Sequence, residues 1–508
     1  MLCVLTLFTG CKEIFGNLDL NGGAAVDPYL QLSKSSASIG VGQTYQIKAT
    51  TISDATITYS SSDPSVATVD ATGLVKGVGL GNTSIIVRVA ESTNYKAGVA
   101  EFTVKVGLVT LEEESATIGY GKTYNIAAKT AATGATLTYE SKNTAVATVD
   151  ANGKVTAVAC GDAEIVITSP ATGTYPAETA TFTANVRALD MDQVKAAIDD
   201  ATDEVTVVMG PEISMTENYT LPDKKVTLVG DNTILTTNST FIIKHNFTLK
   251  DLKIDITGTK QLVQFNPDGC DRKNQSVYSD ATNQNINLLN KVSFENCLVK
   301  NLQNDIIDSN TSAWALENLT INDCIFQMNN EKAVIIRFDR ISGSCIKDIN
   351  IERNTFYNLW KIDGTGSEAY FIRFQHASNS LKVFGTSSTS DMNYIISNNT
   401  FINTSKNKNF GNNTPNSAVV KITMKNNIYY DVYFVDKFAQ GNCTKTIENN
   451  FYYGIAASSS ATTYMADQLD EAPFTAPTAA LDLTKENGGL NLKPSGSAAA
   501  AGDPRWLK

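Results

Sequence analysis

Two short segments repeat an arginine between large apolar residues. Residues 334–340 read VIIRFDR and residues 370–376 read YFIRFQH, so Arg337 and Arg373 share an I-R-F core. Four of the eight arginines fall between residues 337 and 373. A guanidinium group binds a carboxylate or sulfate through two parallel hydrogen bonds. The repeat therefore predicts an anion-binding site, provided that the fold brings the two side chains together.

The composition limits the classes of partner. The chain has 508 residues and a net charge of −11, which argues against a nucleic-acid partner, because phosphate binding needs a basic surface. After residue 11 no run approaches the roughly 18 apolar residues of a transmembrane helix. The six cysteines after Cys11 include no CxxC pair, which argues against a zinc site.

Six segments between residues 294 and 455 share a polar residue followed two positions later by an apolar one. The polar column is Asn296, Asp323, Asn354, Asn399, Asn427 and Asn450. The apolar column is Leu298, Ile325, Phe356, Phe401, Tyr429 and Tyr452. Irregular intervals around a constant core are typical of a solenoid with loop insertions. We expect the asparagines to stack at turns and the apolar column to fill the interior; an exposed asparagine row that binds sugar hydroxyls is the alternative.

The arginines can be placed on this solenoid. Counted from the polar column, Asp308, Arg337 and Arg373 align on a second strand of successive coils. Alternation then puts Ile336 and Phe338 in the core and Arg337 on the outside. Cys297 and Cys324 also fall in one column, where buried thiols are the preferred prediction and a disulfide is the alternative.

Two hypotheses explain the stacked charges. In the first they form an exposed ion-pair ladder, with Asp308 or Asp339 offsetting the arginines. In the second they clamp an anionic ligand between loops 261–290 and 377–393, where Tyr357 and Tyr370 could stack on sugar rings or belong to the core. The binding candidates are Arg337, Arg373, Arg340, His376, Lys421 and Trp360. The alignment that would bring Lys421 into the column is open.

A repeat of about eighty residues precedes the solenoid. Residues 58–87 and 138–167 share the pattern S-x-x-x-x-V-A-T-V-D-x-x-G, with Asp70 matching Asp150. Alternating strands separated by D-A-T-G and D-A-N-G turns predict small β-sandwiches. Residues 29–107 and 108–188 resemble bacterial Ig-like domains of group 2. That resemblance implies spacers or adhesion modules rather than catalysts.

Residues 189–508 begin with an amphipathic stretch, LDMDQVKAAIDDAT, followed by short strands and V-G-D-N. This order resembles the N-terminal cap of right-handed parallel β-helices of the pectin-lyase type. The resemblance implies an acidic polysaccharide lying across successive coils, and either lyase or hydrolase chemistry. The sequence motifs of polygalacturonases and classical pectate lyases are absent, so no catalytic residue is assigned. Calcium is the cofactor candidate, since Asp268, Asp271 and Asp280 share one loop, although no metal site is evident.

The first eleven residues, MLCVLTLFTGC, resemble a bacterial lipoprotein signal. The resemblance implies a signal peptide over residues 1–10, lipidation of Cys11 and a tether over residues 11–28. The charged pair Lys12-Glu13 after this cysteine resembles the export patch of Bacteroidetes surface lipoproteins. The implied location is the outer membrane, with exposure at the cell surface.

These patterns predict an all-β protein in which two Ig-like sandwiches precede a right-handed parallel β-helix. Three functions remain open. The chain binds a polysaccharide, most simply an acidic one, in glycan utilisation; or it is a lyase acting by β-elimination; or it is an adhesin or structural surface protein.

Overall fold

The computed structural model describes residues 25–173, 175–267, 287–309, 314–329, 336–338, 345–359, 370–374, 392–404, 408–411, 420–432, 443–454 and 469–507. Strands 370–374 and 408–411, and residues 338, 345, 420 and 443, are described as backbone only. The chain divides into two compact units, one holding most of the residues up to 185 and the other holding residues 186–508.

The N-terminal repeats form two sandwiches of antiparallel and mixed sheets. The strands of the first are β1 Gln31–Leu32, β2 Ser36–Gly40, β3 Thr44–Gln46, β4 Ala49–Thr50, β5 Ile57–Ser61, β6 Ala67–Val69, β7 Leu74–Gly77, β8 Gly81–Val89 and β9 Gly98–Gly107. Those of the second are β10 Val109–Leu111, β11 Ser115–Gly119, β12 Thr123–Asn125, β13 Ala128–Thr130, β14 Thr138–Ser141, β15 Ala147–Val149, β16 Lys154–Ala157, β17 Gly161–Ser169 and β18 Glu178–Arg187. Their main sheets have equivalent orders, β2-β9-β8-β5 and β11-β18-β17-β14.

The repeated Asp-x-x-Gly sequence is a tight turn between paired strands. Asp70 Oδ1 accepts the backbone N–H groups of Thr72 and Leu74 at 2.8 and 3.0 Å. Gly73 has φ +83°, and a Cβ there would lie 2.8 Å from the Tyr59 ring. Both the left-handed backbone and the close tyrosine therefore require glycine. The second domain repeats this turn, which confirms the predicted turn signal.

The C-terminal unit is a parallel β-helix built from three sheets. The first sheet contains β19 Glu204–Met209, β22 Lys225–Gly230, β25 Phe247–Lys250, β28 Asn287–Glu295, β31 Trp314–Asn322, β34 Cys345–Glu352, β37 Met392–Ser397, β40 Val420–Lys425 and β42 Cys443–Glu448. The second contains β20 Glu212–Met215, β23 Ile234–Thr237, β26 Lys253–Ile256, β29 Leu298–Leu302, β32 Ile325–Met328, β35 Thr355–Asn358, β38 Thr400–Ile402, β41 Ile428–Tyr430 and β43 Phe451–Tyr453. The third contains β21 Tyr219–Thr220, β24 Phe241–Ile243, β27 Val263–Phe265, β30 Ile307–Asp308, β33 Ile336–Phe338, β36 Tyr370–Phe374 and β39 Lys408–Gly411.

A single α-helix among the described residues, α1 Met191–Asp200, precedes the first coil. Asp190 caps it by accepting the backbone N–H of Gln193 at 2.8 Å. Val194 and Ile198 are buried, as expected for an amphipathic helix, whereas Leu189 is 39% exposed and lies before the helix. Helix content is only 6%, and the three all-parallel sheets confirm the predicted all-β class.

The interior of the β-helix contains a stack of aromatic rings. Phe326, Phe356, Phe401, Tyr429 and Tyr452 follow one another with centroid separations of 5.0–5.4 Å and nearly parallel planes. All are at most 2% exposed. The last four confirm the predicted apolar column.

The predicted apolar column is wrong in its first two coils. The strand register pairs Val299 with Phe326, and Phe326 with Phe356, so these residues continue the stack. Leu298 and Ile325 occupy the neighbouring position, which faces outward.

An asparagine ladder runs beside the aromatic stack. The Oδ1 atoms of Asn399, Asn427 and Asn450 each accept the backbone N–H of the equivalent asparagine in the preceding coil, at 2.9–3.0 Å. Each Oδ1 also accepts the side-chain amide of that residue, at 2.8–3.1 Å. Because Asn354, Asn399, Asn427 and Asn450 are at most 3% exposed, the ladder is structural and cannot bind sugars.

Cysteines continue this ladder in the earlier coils. Cys297 N donates to Cys324 Sγ at 3.4 Å, and Cys324 N donates to Asn354 Oδ1 at 2.8 Å. Both thiols are buried and form no disulfide, in agreement with the preferred prediction. The assignment of Asn296 and Asp323 to the ladder is therefore wrong.

Those two polar residues form a different column, one position earlier. Asn296, Asp323 and Arg353 have φ values of 52°, 57° and 58°. Asn and Asp tolerate this left-handed conformation better than most residues do. The equivalent positions in later coils are Asn398, Asn426 and Asn449.

The C-terminal segment, residues 469–507, lies over the outer face of the second sheet. Its buried apolar residues are Phe474, Leu481, Leu483, Leu492, Ala498, Ala501 and Trp506. They pack on outward-facing residues of the later coils, namely Ile325, Tyr357, Ile402 and Ile428. It also contains short 3-10 helices at Glu486–Gly489, Gly496–Ala498 and Pro504–Leu507.

The sequence GDPRW anchors this segment. Trp506 Nε1 donates to Thr355 Oγ1 at 2.8 Å, and that hydroxyl donates to Asp503 Oδ2 at 2.8 Å. Asp503 N donates to Thr400 Oγ1 at 3.1 Å. The Arg505 guanidinium lies 2.7 Å from the Asp503 carboxylate. Its Nη2 also donates to the main-chain oxygens of Cys324 and Arg353, at 2.8 and 3.0 Å.

Candidate functional site

The two arginines of the I-R-F repeat are directly paired on neighbouring strands of the third sheet. Arg337 on β33 pairs with Arg373 on β36, and Asp308 on β30 pairs with Arg337. The predicted column is confirmed in register. It continues to Gln264 on one side and to Gly411 on the other. We call these five positions the arginine column.

Burial separates the two faces of the strand that carries Arg337. Ile336 is fully buried in the core, as alternation predicts, and the Arg337 side chain is 20% exposed. Asp308, however, is only 2% exposed. The expectation of an open ladder of exposed charges is therefore wrong at this position, because the Asp308 side chain is buried.

Asp305 is the acidic partner of Arg337 among the described residues. Its Oδ2 lies 2.9 Å from Arg337 Nε, and the Asp305 side chain is 2% exposed. The Nε–H group does not point at this oxygen well enough to form a hydrogen bond. The contact is therefore an ion pair that fixes the guanidinium by charge.

The predicted partners of the arginines, Asp308 and Asp339, do not include Asp305. The sequence D-I-I-D at 305–308 is the one indication of Asp305, because it places a second carboxylate just before the short strand that ends at Asp308. Asp339 lies outside the described residues.

The other binding candidates do not all join this column. Lys421 is exposed on β40 of the first sheet, where it pairs with Asn393 and Thr444. Its suggested place in the arginine column is wrong, because the coil that holds it was aligned across long insertions of different length. Arg340, His376 and Trp360 lie outside the described residues, so their proposed roles stay predictions.

Tyr357 is not available to stack on a sugar. The C-terminal segment covers it completely, and its hydroxyl donates to Ala479 O at 3.3 Å. Burial raises the pKa of Tyr357. The side chain of Tyr370 is not described.

Arg353 is the remaining arginine between residues 337 and 373, and it is paired with an acidic side chain. Its Nε and Nη2 donate to the two carboxylate oxygens of Asp323 at 2.9 and 2.8 Å. These hydrogen bonds raise the pKa of Arg353. The pair links two neighbouring turns and takes no part in the arginine column.

The described residues contain no group of three or more His, Cys, Asp or Glu side chains that could hold a metal ion. The aspartates at 268, 271 and 280 fall outside this part of the chain, so a calcium site there stays a prediction. Nor does the described part hold any helix long and apolar enough to cross a membrane.

One cleft of about 350 Å³ opens beside the N-terminal helix. It is lined by Asp190, Asp192, Lys195 and Glu217, together with Met191, Ser214, Met215 and Thr216. None of the candidates for ligand binding contributes to it. The cleft belongs to the cap of the β-helix rather than to the arginine column.

Family comparison decides the nature of the N-terminal repeats. The model of the bacterial Ig-like domain (group 2) matches residues 28–99 and 105–182. The chain carries two bacterial Ig-like domains in tandem. A second model, described as a domain of unknown function (DUF4957), matches residues 212–359, which include Arg337. No curated protein matches the chain.

Similarity to solved structures is slight. Drosophila N-cadherin EC1-3 is 14% identical over 32% of this chain and 69% of its own, with a TM-score of 0.21. Human protocadherin-24 EC1-2 is 15% identical over 32% of this chain and 98% of its own, with a TM-score of 0.14. The S-layer protein rSbsC is 19% identical over 29% of this chain and 22% of its own, with a TM-score of 0.13. These scores are too low to support a functional argument.

Proposed function

We propose that the chain is a surface protein that binds an acidic polysaccharide across the third sheet of its β-helix. The observation that carries this proposal is the direct pairing of Arg337 with Arg373 on neighbouring strands. Paired residues in a sheet are about 4.8 Å apart. Two guanidinium groups at that spacing repel by about 3 kcal/mol at an effective dielectric constant of 20. Asp305 offsets part of this repulsion at Arg337, and an anionic ligand between the two arginines would offset more of it.

The ion pair at Arg337 supports a binding role. Asp305, being buried, holds the guanidinium near one position, so less side-chain entropy is lost when a ligand binds. Arginine binds a carboxylate or sulfate better than lysine does, since its planar guanidinium group can donate two parallel hydrogen bonds to the anion.

The surroundings of the column favour the third sheet over the second. Residues 469–507 cover the second sheet in its later coils, so that face has no room for a polymer. The two Ig-like domains fit a protein displayed at a surface. In this proposal Cys11 carries the lipid anchor in the outer membrane, and the β-helix engages polysaccharide in glycan utilisation.

Binding by the arginine variants tests the proposal. The full chain is titrated with polygalacturonate, chondroitin sulfate and a neutral glucan. Arg337→Ala and Arg373→Ala should each weaken binding of an acidic polymer by about 1.5–3 kcal/mol, the scale of a hydrogen bond to a charged group. Binding should also weaken as salt rises, because exposed charges are screened.

Two matched variants serve as controls. Arg353→Ala removes an arginine that is committed to Asp323, and Lys421→Ala removes an exposed cation on another sheet. Neither should change glycan affinity. Wild-type affinity in both Arg337→Ala and Arg373→Ala would exclude the proposed site.

The same titrations separate the other functions. Release of unsaturated sugars, read by ultraviolet absorbance, would make the chain a lyase, and loss of that activity in chelator would support a calcium requirement. Absence of both binding and cleavage for every acidic polymer would favour an adhesin or structural protein.

A further inference from the structure

Two loops of the second Ig-like domain belong to the compact unit of the β-helix. Residues 118–122 connect β11 to β12, and residues 157–161 connect β16 to β17. Both fall in the unit that holds residues 186–508, whereas the rest of their domain falls in the other unit. The first Ig-like domain contributes no segment to the β-helix unit. The two repeats therefore differ in their structural relation to the β-helix unit.

Side chains from both loops pack on the core of the β-helix unit. Tyr120 and Cys160 lie against its buried apolar cluster, which includes Val194 and Ile198 of α1. The Tyr120 hydroxyl donates to Asp200 Oδ2, at the end of α1, at 2.8 Å. Burial, together with this hydrogen bond, raises the pKa of Tyr120 to about 12, so the hydroxyl stays a donor at neutral pH. The loops therefore complete the packing of the helix that precedes the first coil.

The chain enters the β-helix directly after β18, without a linker. Ala188 N donates to Val208 O of β19 at 2.9 Å. The preceding side chain, Arg187, is 8% exposed. Its Nη1 donates to Gly161 O at 3.2 Å, and its Nε donates to Asp231 Oδ2 at 2.8 Å. One buried arginine thus ties loop 157–161 to a turn between two strands of the β-helix.

The first Ig-like domain leaves the equivalent positions open. The strands of the two repeats align Val41 with Tyr120 and Leu80 with Cys160. Val41 is 39% exposed and Leu80 is 43% exposed. The two domains share one fold, so the fold alone does not require these loops to be covered. The packing at Tyr120 and Cys160 is specific to the second domain.

We propose that the second Ig-like domain serves as the N-terminal cap of the β-helix, through loops 118–122 and 157–161. A solenoid needs a cap, because its terminal coil otherwise presents an open strand edge and apolar surface to water. β19 is the terminal strand of the first sheet, and α1 has only 10 residues with which to cover this end. This role is separate from glycan binding and differs from the spacer or adhesion role that the family resemblance implies.

Hydrogen exchange in the full chain, read by mass spectrometry, tests the role of the loops. Tyr120→Ala removes the ring and the hydroxyl that contact the helix unit. We expect amide exchange in α1 and β19 to become at least about tenfold faster, because elements that lose packing open more often. Val41→Ala changes the equivalent residue of the first domain and should leave both elements at the wild-type rate. Unchanged exchange in Tyr120→Ala would overturn the proposal.

Core variants test the contribution of the whole domain. Phe182 and Phe102 are buried at equivalent positions, and each stacks on a tyrosine with ring centroids 5.3 and 5.4 Å apart. Phe182→Ala destabilises the second domain, so a cap predicts faster exchange in α1 and β19 as well. Phe102→Ala destabilises the first domain and should not change the exchange of these two elements.

Every outcome of the core variants bears on the cap. Wild-type exchange in α1 and β19 while the second domain opens in Phe182→Ala would make that domain a spacer. Equal acceleration in Phe182→Ala and Phe102→Ala would show that the whole chain opens together, which also contradicts a specific cap. If Phe182→Ala yields no folded chain, the comparison of Tyr120→Ala with Val41→Ala decides.

Discussion

Single residues determine where the sequence patterns succeed and where they fail. Arg337 and Arg373 could be aligned from the sequence because alternation is strict within a strand and the I-R-F core recurs. Neither the burial of Asp308 nor the contact with Asp305 could be predicted, since the local pattern does not reveal which distant segment covers a strand.

The asparagine ladder of the β-helix shows a second limit of prediction from single residues. Asparagines and cysteines fill equivalent places in one ladder, although the two side chains have little in common chemically. An alignment based on polar residues therefore places Asn296 and Asp323 in the ladder, one residue before the cysteines that occupy it. A cysteine can replace asparagine here because its sulfur accepts the same backbone N–H, although more weakly.

The aromatic stack gives a residue-scale prediction. Phe356 is fully buried between Phe326 and Phe401, so Phe356→Ala should lower the free energy of unfolding of the β-helix by about 3–5 kcal/mol. Chemical denaturation monitored by circular dichroism measures this change. Ile395→Ala, at a position that is 38% exposed on the first sheet, is the control and should cost less than about 1 kcal/mol. A loss that small in Phe356→Ala would contradict the stacked core.

At the scale of elements, the second sheet changes character along the β-helix. Its outward positions in the first coils include Glu212, Lys253 and Asp255, whereas the later coils present Ile325 and Ile428. The C-terminal segment covers the apolar part. The apolar strands and GDPRW are both visible in the sequence. Their packing against each other could not be predicted, because the contacts join residues more than a hundred positions apart and produce no periodic pattern.

Trp506 supplies the element-scale prediction. It is 5% exposed and donates to Thr355, so Trp506→Ala should release the end of the segment and expose the second sheet. We expect faster hydrogen exchange at residues 325–328 and 355–358, and cleavage by protease between residues 490 and 507. The first sheet should keep the exchange rates of the wild type. Wild-type exchange in the second sheet would show that apolar packing alone holds the segment.

At the scale of the whole molecule, the order of the domains agrees with the predicted location at the cell surface. Two tandem Ig-like domains precede the β-helix, and the predicted anchor at Cys11 precedes both. The fold class could be predicted in full, because the eighty-residue repeat and the coil repeat are long, internally consistent patterns. The anchor stays a prediction, since residues 1–24 lie outside the described part.

Membrane attachment is the prediction at this scale. Cys11→Ala should move the expressed protein from the membrane fraction to the soluble fraction and abolish labelling with palmitate. Cys3→Ala serves as the control, because this residue lies within the predicted signal peptide, and it should leave both properties unchanged. Continued palmitate labelling of the Cys11→Ala variant would refute the anchor.

The covering of the second sheet has a consequence for how the protein is made. Arg505 contacts the main chain of Cys324 across 181 residues of sequence, and Trp506 contacts Thr355 across 151. Contacts this distant form late, because the chain between them must first be ordered. Until residues 469–507 have been synthesised, every coil can be complete while an apolar sheet face still meets water. During that interval the nascent protein is prone to aggregate, so the rate at which its last forty or so residues emerge and dock sets how long a chaperone must shield it.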